Sequence, residues 1–165
     1  MRALAGVAVV AILPLAAAHA DDPAVVHVTL DVHKLPGHWV RAASGEGYES
    51  KRGRVGAFID VLRLPGTEPA GWLKLESDRY RETGLNPRSY AADPAATGKS
   101  ESACIFADGY GGSLRVVQCT YRSKSASTFF AIEYRETSAG EGDERSFTRA
   151  ARQLQRAALE QSGID

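Results

Sequence analysis

Two cysteines and one methionine are all the sulfur that 165 residues contain, and acidic and basic residues balance at 20 each. Each shortage excludes something. Two cysteines alone do not complete a tetrahedral zinc site, and Cys104 and Cys119 lack the C-x-x-C spacing of a dithiol redox centre. A chain without net charge carries no global field to recruit nucleic acid or a membrane surface. The glycines near positions 45 and 109 match neither G-x-G-x-x-G nor G-x-x-x-x-G-K-[ST], which leaves no nucleotide fingerprint. No G-x-S-x-G elbow is present to seat a nucleophilic serine. Internal repeats and low-complexity tracts are also missing.

The one long apolar run stands at the start, MRALAGVAVVAILPLAAAHA. Arg2 is a short basic region, the apolar stretch that follows is broken by Pro14, and Ala18-His19-Ala20 is a small-x-small triplet. That layout predicts a secretory signal peptide over residues 1–20, cleaved to leave a mature chain from Asp21. A permanent anchor would need about 20 apolar residues, and no cysteine follows the run to carry a lipid. Cleavage removes Arg2 and leaves 19 basic against 20 acidic residues. The remaining residues, 21–165, suit a single domain. Arginine outnumbers lysine 15 to 5, a genome-wide bias that by itself explains some arginine-rich surface.

Export places both thiols where pairing is expected. Between them lies Asp108-Gly109-Tyr110-Gly111-Gly112, rich in residues that accept positive φ, with a β-prone apolar run on either side. A turn centred between Gly111 and Gly112 sets Cys104 opposite Cys119 and Phe106 opposite Val117, which permits a cross-strand disulfide.

Residues 25–33 alternate, with Val26, Val28, Leu30 and Val32 on one face and His27, Thr29, Asp31 and His33 on the other, which predicts a half-buried strand. A short strand is expected at 38–41, an exposed loop at 44–54, a central strand apolar on both faces at 55–64, and a further alternating segment at 72–76. Residues 78–102 keep no period and are expected to form a long irregular loop. A strand follows at 128–136 with Phe130, Ile132 and Tyr134 on one side. After a break at 138–143, Asp143 is the N-cap of a helix reaching to about residue 161, whose apolar stripe is Phe147, Ala150, Ala151, Leu154 and Ala158. The fold class expected is α+β: a curved antiparallel sheet of about six strands covered by one C-terminal amphipathic helix.

Candidate chemistry is sparse. Asp31 and His33, about 6.5–7 Å apart on one strand face, can reach one ion or substrate, whereas His27 lies about 20 Å from His33. His38 is the only other histidine of the mature chain. A carboxylate pair among the 20 acidic residues is open to glycosidase-like use, but nothing selects the pair. The predicted loop carries Arg79, Tyr80, Arg81, Arg88 and Tyr90, residue types enriched at binding hot spots. On the C-terminal helix, at about 100° per residue, Arg145, Arg149, Arg152 and Arg156 form one ridge opposite the Phe147/Leu154 stripe. Like charges four residues apart oppose a helix slightly, so the ridge suits docking on an acidic protein surface or on phosphate groups.

The expectation is an exported, periplasmic, non-enzymatic binding protein that needs no cofactor and no metal, such as an inhibitor, an immunity protein or an envelope assembly factor. Its partner would be another envelope protein, not nucleic acid. A small envelope enzyme using carboxylates or the Asp31/His33 pair, or a carrier of an apolar ligand enclosed by the sheet, are the alternatives.

Overall fold

The computed structural model describes residues 25–53, 55–65, 68–91, 100–123, 128–138 and 143–162. The expected signal peptide and the Asp21 start lie outside them. The cysteine hairpin organises one half of the sheet: β6 (Ser100–Gly109) and β7 (Leu114–Ser123) pair in the register expected from the turn, Cys104 opposite Cys119 and Phe106 opposite Val117. The reversal uses Gly111 at φ 67°, a left-handed conformation open to glycine without steric cost. β8 (Thr128–Thr137) continues the meander, and β4 (Val55–Pro65) pairs with it along its whole length.

The complete antiparallel order is β2-β3-β4-β8-β7-β6-β5, with β1 also paired to β4. β1 is Val26–His27, β2 is Val40–Arg41, β3 is Tyr48–Arg52 and β5 is Asn86–Tyr90. Among the described residues the sheet therefore has eight strands rather than about six, and two α-helices rather than one accompany it. The expected strand over 25–33 shortens to β1, because Val32–Lys34 turns into a single 3-10 turn capped by the Asp31 side chain. Residues 44–54, expected as a loop, contain β3, which is hydrogen-bonded to both β2 and β4.

The larger correction falls on residues 69–90. α1 (Pro69–Glu82) replaces both the expected strand at 72–76 and the start of the expected irregular loop. Proline at the first helical position is preset for the turn, and Lys74–Asp78 and Asp78–Arg81 ion pairs run along the exposed side. Gly84 at φ 82° ends the helix, and the Leu85 amide bonds back to the Tyr80 carbonyl. β5 then forms an edge strand, where Pro87 is tolerated. Residues 92–99 of the expected loop lie outside the described ones.

Helices cover both faces. α2 (Glu144–Ser162) lies on one, its buried side being Phe147, Ala151, Leu154, Gln155 and Ala158. Asp143 caps it as expected, accepting from the Ser146 amide at 2.8 Å. Phe147 meets Phe106 edge-on at 5.6 Å and stacks on Tyr134 at 5.4 Å, over a core that includes the Cys104–Cys119 disulfide, Ile59, Val61 and Ile132. On the opposite face α1 packs Trp72 and Leu73 onto Leu62, Leu64 and Phe129, and Tyr80 onto Ala107 and Val116. β4 is thus apolar on both faces, as expected of a central strand.

Candidate functional site

Three places gather polar side chains: a network under α1, a histidine–aspartate pair at the β1 edge, and the arginine face of α2.

The network under α1 grows from strand alternation. Glu133 of β8 stands between Asp60 of β4 and Gln118 of β7 on one sheet face, and α1 lowers Glu76 and Tyr80 onto them. Tyr80 is fully buried and donates to Glu133 Oε2 at 2.9 Å. Gln118, in the amide orientation that satisfies all its neighbours, donates to the Tyr80 hydroxyl at 3.0 Å and to Glu76 Oε2 at 3.2 Å, and accepts from Trp72 Nε1 at 3.1 Å. Arg79 pairs with Glu76, and Arg135 Nε lies 3.3 Å from Glu133 Oε1. Burial pushes the Tyr80 hydroxyl well above its ordinary pKa, with Glu133 and Glu76 adding to the rise, so the phenol stays a donor. Burial also raises the Glu133 carboxyl; Arg135 opposes this and Glu76 adds to it. Two carboxylates do meet here, as one alternative required, but Glu76, Tyr80 and Gln118 are each at most 2% exposed. Glu133 keeps 12% of its side chain accessible. The arrangement satisfies buried polar groups and docks a helix.

At the β1 edge, His27 Nδ1 lies 2.9 Å from Asp60 Oδ2, with Glu46 at 3.9 Å from Nε2. The hydrogen bond to Asp60 raises the histidine pKa; burial lowers it, the Asp60 and Glu46 charges raise it, and Arg41 lowers it. Sequence reasoning set His27 aside because it lies far from Asp31 and His33 along the strand; its partner instead comes from β4. No serine or cysteine hydrogen-bonds His27 among the described residues, so a catalytic dyad has no nucleophile there. Asp31 and His33 do not form a site: Asp31 Oδ1 accepts from the His33 amide at 3.0 Å as a turn cap, and both residues are exposed. His38 is also exposed. Among the described residues no group of three or more His, Cys, Asp or Glu is placed to hold a metal.

The His27–Asp60 pair has a measurable consequence. A histidine whose folded pKa is raised stabilises the fold fully below its ordinary value of about 6.5, and that stability is lost as pH rises through the folded value. Urea midpoints of the wild type should fall between about pH 6 and about pH 8.5. In His27→Gln the profile should be flatter over that window; identical profiles would show that the pair does not titrate with folding.

The residues expected as loop hot spots separate. Tyr80 is core, Arg79 is held by Glu76, and Arg81 pairs with Asp78 at 2.6 Å on the exposed side of α1. Arg88 and Tyr90 belong to the opposite face of the sheet. Arg88 lies 4.2 Å over the Phe106 ring and pairs with Glu144 at 2.6 Å, tying β5 to the start of α2. Tyr90 packs against the α2-side core with Arg152 5.8 Å above its ring. One binding surface made of all five is therefore excluded by the fold.

The four helix arginines do come together. Arg145, Arg149, Arg152 and Arg156, with Thr148 and Gln153, line one shallow recess of about 320 Å³ on the outer side of α2, and no acidic residue lines it among the described residues. Arg145, Arg149 and Arg156 are exposed, while Arg152 is half-buried against Tyr90. Arg152 is thereby set against β5 rather than wholly on the outer ridge.

No protein-family model matches the chain, and no curated protein matches it. Among solved structures it is similar to the crystal structure of LpqN, involved in cell envelope biogenesis of Mycobacterium tuberculosis: 15% identical, with a TM-score of 0.49, over 83% of this chain and 84% of that one. At that level the likeness carries no argument about ligand, partner or activity. No helix among the described residues is long and apolar enough to cross a membrane.

Proposed function

We propose that this chain is an exported, non-enzymatic binding protein that docks the outer face of α2 onto an acidic surface of another envelope protein, in the manner of an inhibitor, an immunity protein or an assembly factor. The observation that carries the reading is the recess on α2, which Arg145, Arg149, Arg152 and Arg156 line together. Guanidinium forks match carboxylates geometrically and are less strongly hydrated than ammonium groups, so an acidic protein surface is the complementary partner. Export is supported by the layout of residues 1–20 and by the Cys104–Cys119 disulfide, a bond that persists in oxidising compartments.

The test uses Arg145→Gln, Arg149→Gln and Arg156→Gln together, leaving Arg152 on Tyr90. Stability should hold or rise slightly, since like charges at i, i+4 cost about 0.2–0.5 kcal/mol per pair. Cross-linking capture from envelope extract should recover a partner with the wild type and about tenfold less of it with the triple variant. Equal capture by both proteins, or binding of the wild type to anionic lipid vesicles in place of a protein, would overturn the proposal.

A further inference from the structure

A second recess lies on the α1 side of the sheet, at the end that α1 leaves uncovered. α1 packs over Leu62 and Leu64, whereas the opposite ends of β4 and β8 and the neighbouring β2 and β3 form an open depression of about 380 Å³. Strand register explains its lining. Phe58 pairs with Arg135 and with Glu49, and Gly56 pairs with Thr137 and with Lys51, so one sheet face presents all of them at this end. Val40 and Ala42 add apolar surface, and Ser44, Ser50 and the backbone around Ala57 also border the depression. A volume of this order is that of small-ligand sites, which are commonly mostly apolar with few polar groups.

Of the polar residues lining the recess, Arg135 is the buried one. It is 5% exposed and stacks 4.2 Å from the centre of the Phe58 ring, and its Nε faces Glu133. Its Nη1 is buried and has no hydrogen-bond partner among the described residues. A buried guanidinium N–H without an acceptor is costly, and native structures rarely leave one unsatisfied. The side chain is held on one edge by Glu133 and on its face by Phe58, so the guanidinium loses little freedom on meeting a ligand.

We infer that this recess binds a small amphiphile whose anionic oxygen head accepts from Arg135 Nη1 while its apolar body lies along Phe58, Ala42 and Val40. The site is separate from the arginine face of α2 and does not depend on it. The matched chemistry is a carboxylate on a short hydrocarbon chain, because the Arg135 guanidinium lacks an acceptor at Nη1 and Val40, Ala42 and Phe58 give an apolar stretch to a wall that Glu49, Lys51 and Thr137 also line.

Decanoate is a suitable probe, with decanol as its uncharged counterpart. Titration of the folded protein followed by NMR should move the methyl signals of Val40 and Ala42 together with the Arg135 Nε–H signal. A hydrogen bond to a charged group implies about tenfold to a hundredfold weaker binding of decanol. Arg135→Gln should remove that preference. Val40→Asp changes an exposed wall residue, so the fold is retained; it should weaken decanoate at least about tenfold by placing a carboxylate against the apolar body. Shifts confined to other residues, equal affinity for decanoate and decanol, or indifference to Val40→Asp would each overturn the assignment.

Discussion

Replacing Phe147 by Ala should lower stability by about 3–5 kcal/mol, the usual cost of emptying a fully buried aromatic site, out of the ~5–15 kcal/mol that holds a domain together. The ring is 1% exposed and bridges Phe106 on β6 and Tyr134 on β8, so its loss removes the principal aromatic anchor between α2 and the sheet. Urea denaturation should show the midpoint falling sharply, while the three-arginine variant of the same helix leaves it in place. The pair of results tests which side of α2 faces inward. If Phe147→Ala were nearly neutral and the arginine substitutions destabilising, the helix would be rotated and the arginine recess would not be a surface.

Loss of the disulfide should have a comparable effect. Cys104 and Cys119 lie 15 residues apart in sequence, and a loop of that size contributes about 3 kcal/mol in the chain-entropy model. Both residues belong to the core beneath α2, at 5% and 0% exposure. Changing both to Ser therefore also buries two hydroxyl groups among apolar neighbours, which adds to the loss. The variant should retain the register of β6 and β7, since Phe106 and Val117 still face each other, but with a much lower denaturation midpoint. In the wild type, reduction should require partial unfolding, so thiol release should accelerate sharply as urea approaches the midpoint. Rapid reduction in native buffer, or unchanged stability of the double-serine protein, would contradict a buried structural bond.

What the sequence made legible was local. The hairpin register followed from its turn residues, and the α2 stripe followed from apolar spacing, because in both cases the interacting residues are near in sequence. α1 was missed for a specific reason. Leu75, 62% exposed, sits on the wrong side, and Glu76, 1% exposed, sits on the buried side, so residues 72–76 imitate the alternation of a strand. β3 was missed because its polar residues are held by pairing to two neighbours rather than by an apolar face.

The same reversal hid the polar sites. On β8 the residues Phe130, Ile132 and Tyr134 announced a buried face, and Glu133 and Arg135 therefore looked like the solvent side. That side is buried as well, by α1 and by the walls of the second recess. Glu133 finds Tyr80 53 residues away, and His27 finds Asp60 33 residues away. Only long-range pairing brings such groups together, and no short spacing encodes it. The arginine ridge was readable because all four residues share one helix; the contact of Arg152 with Tyr90, which comes from β5, was not.

The arginine face as a docking surface is tested most directly by the affinity of the captured partner across ionic strength, measured side by side for the wild type and for the protein carrying Arg145→Gln, Arg149→Gln and Arg156→Gln. The account predicts that wild-type binding weakens steadily between about 50 mM and about 300 mM salt as screening shortens the reach of the charges, and that the variant starts weak and changes little. Equal affinities with no salt dependence in either protein would contradict it.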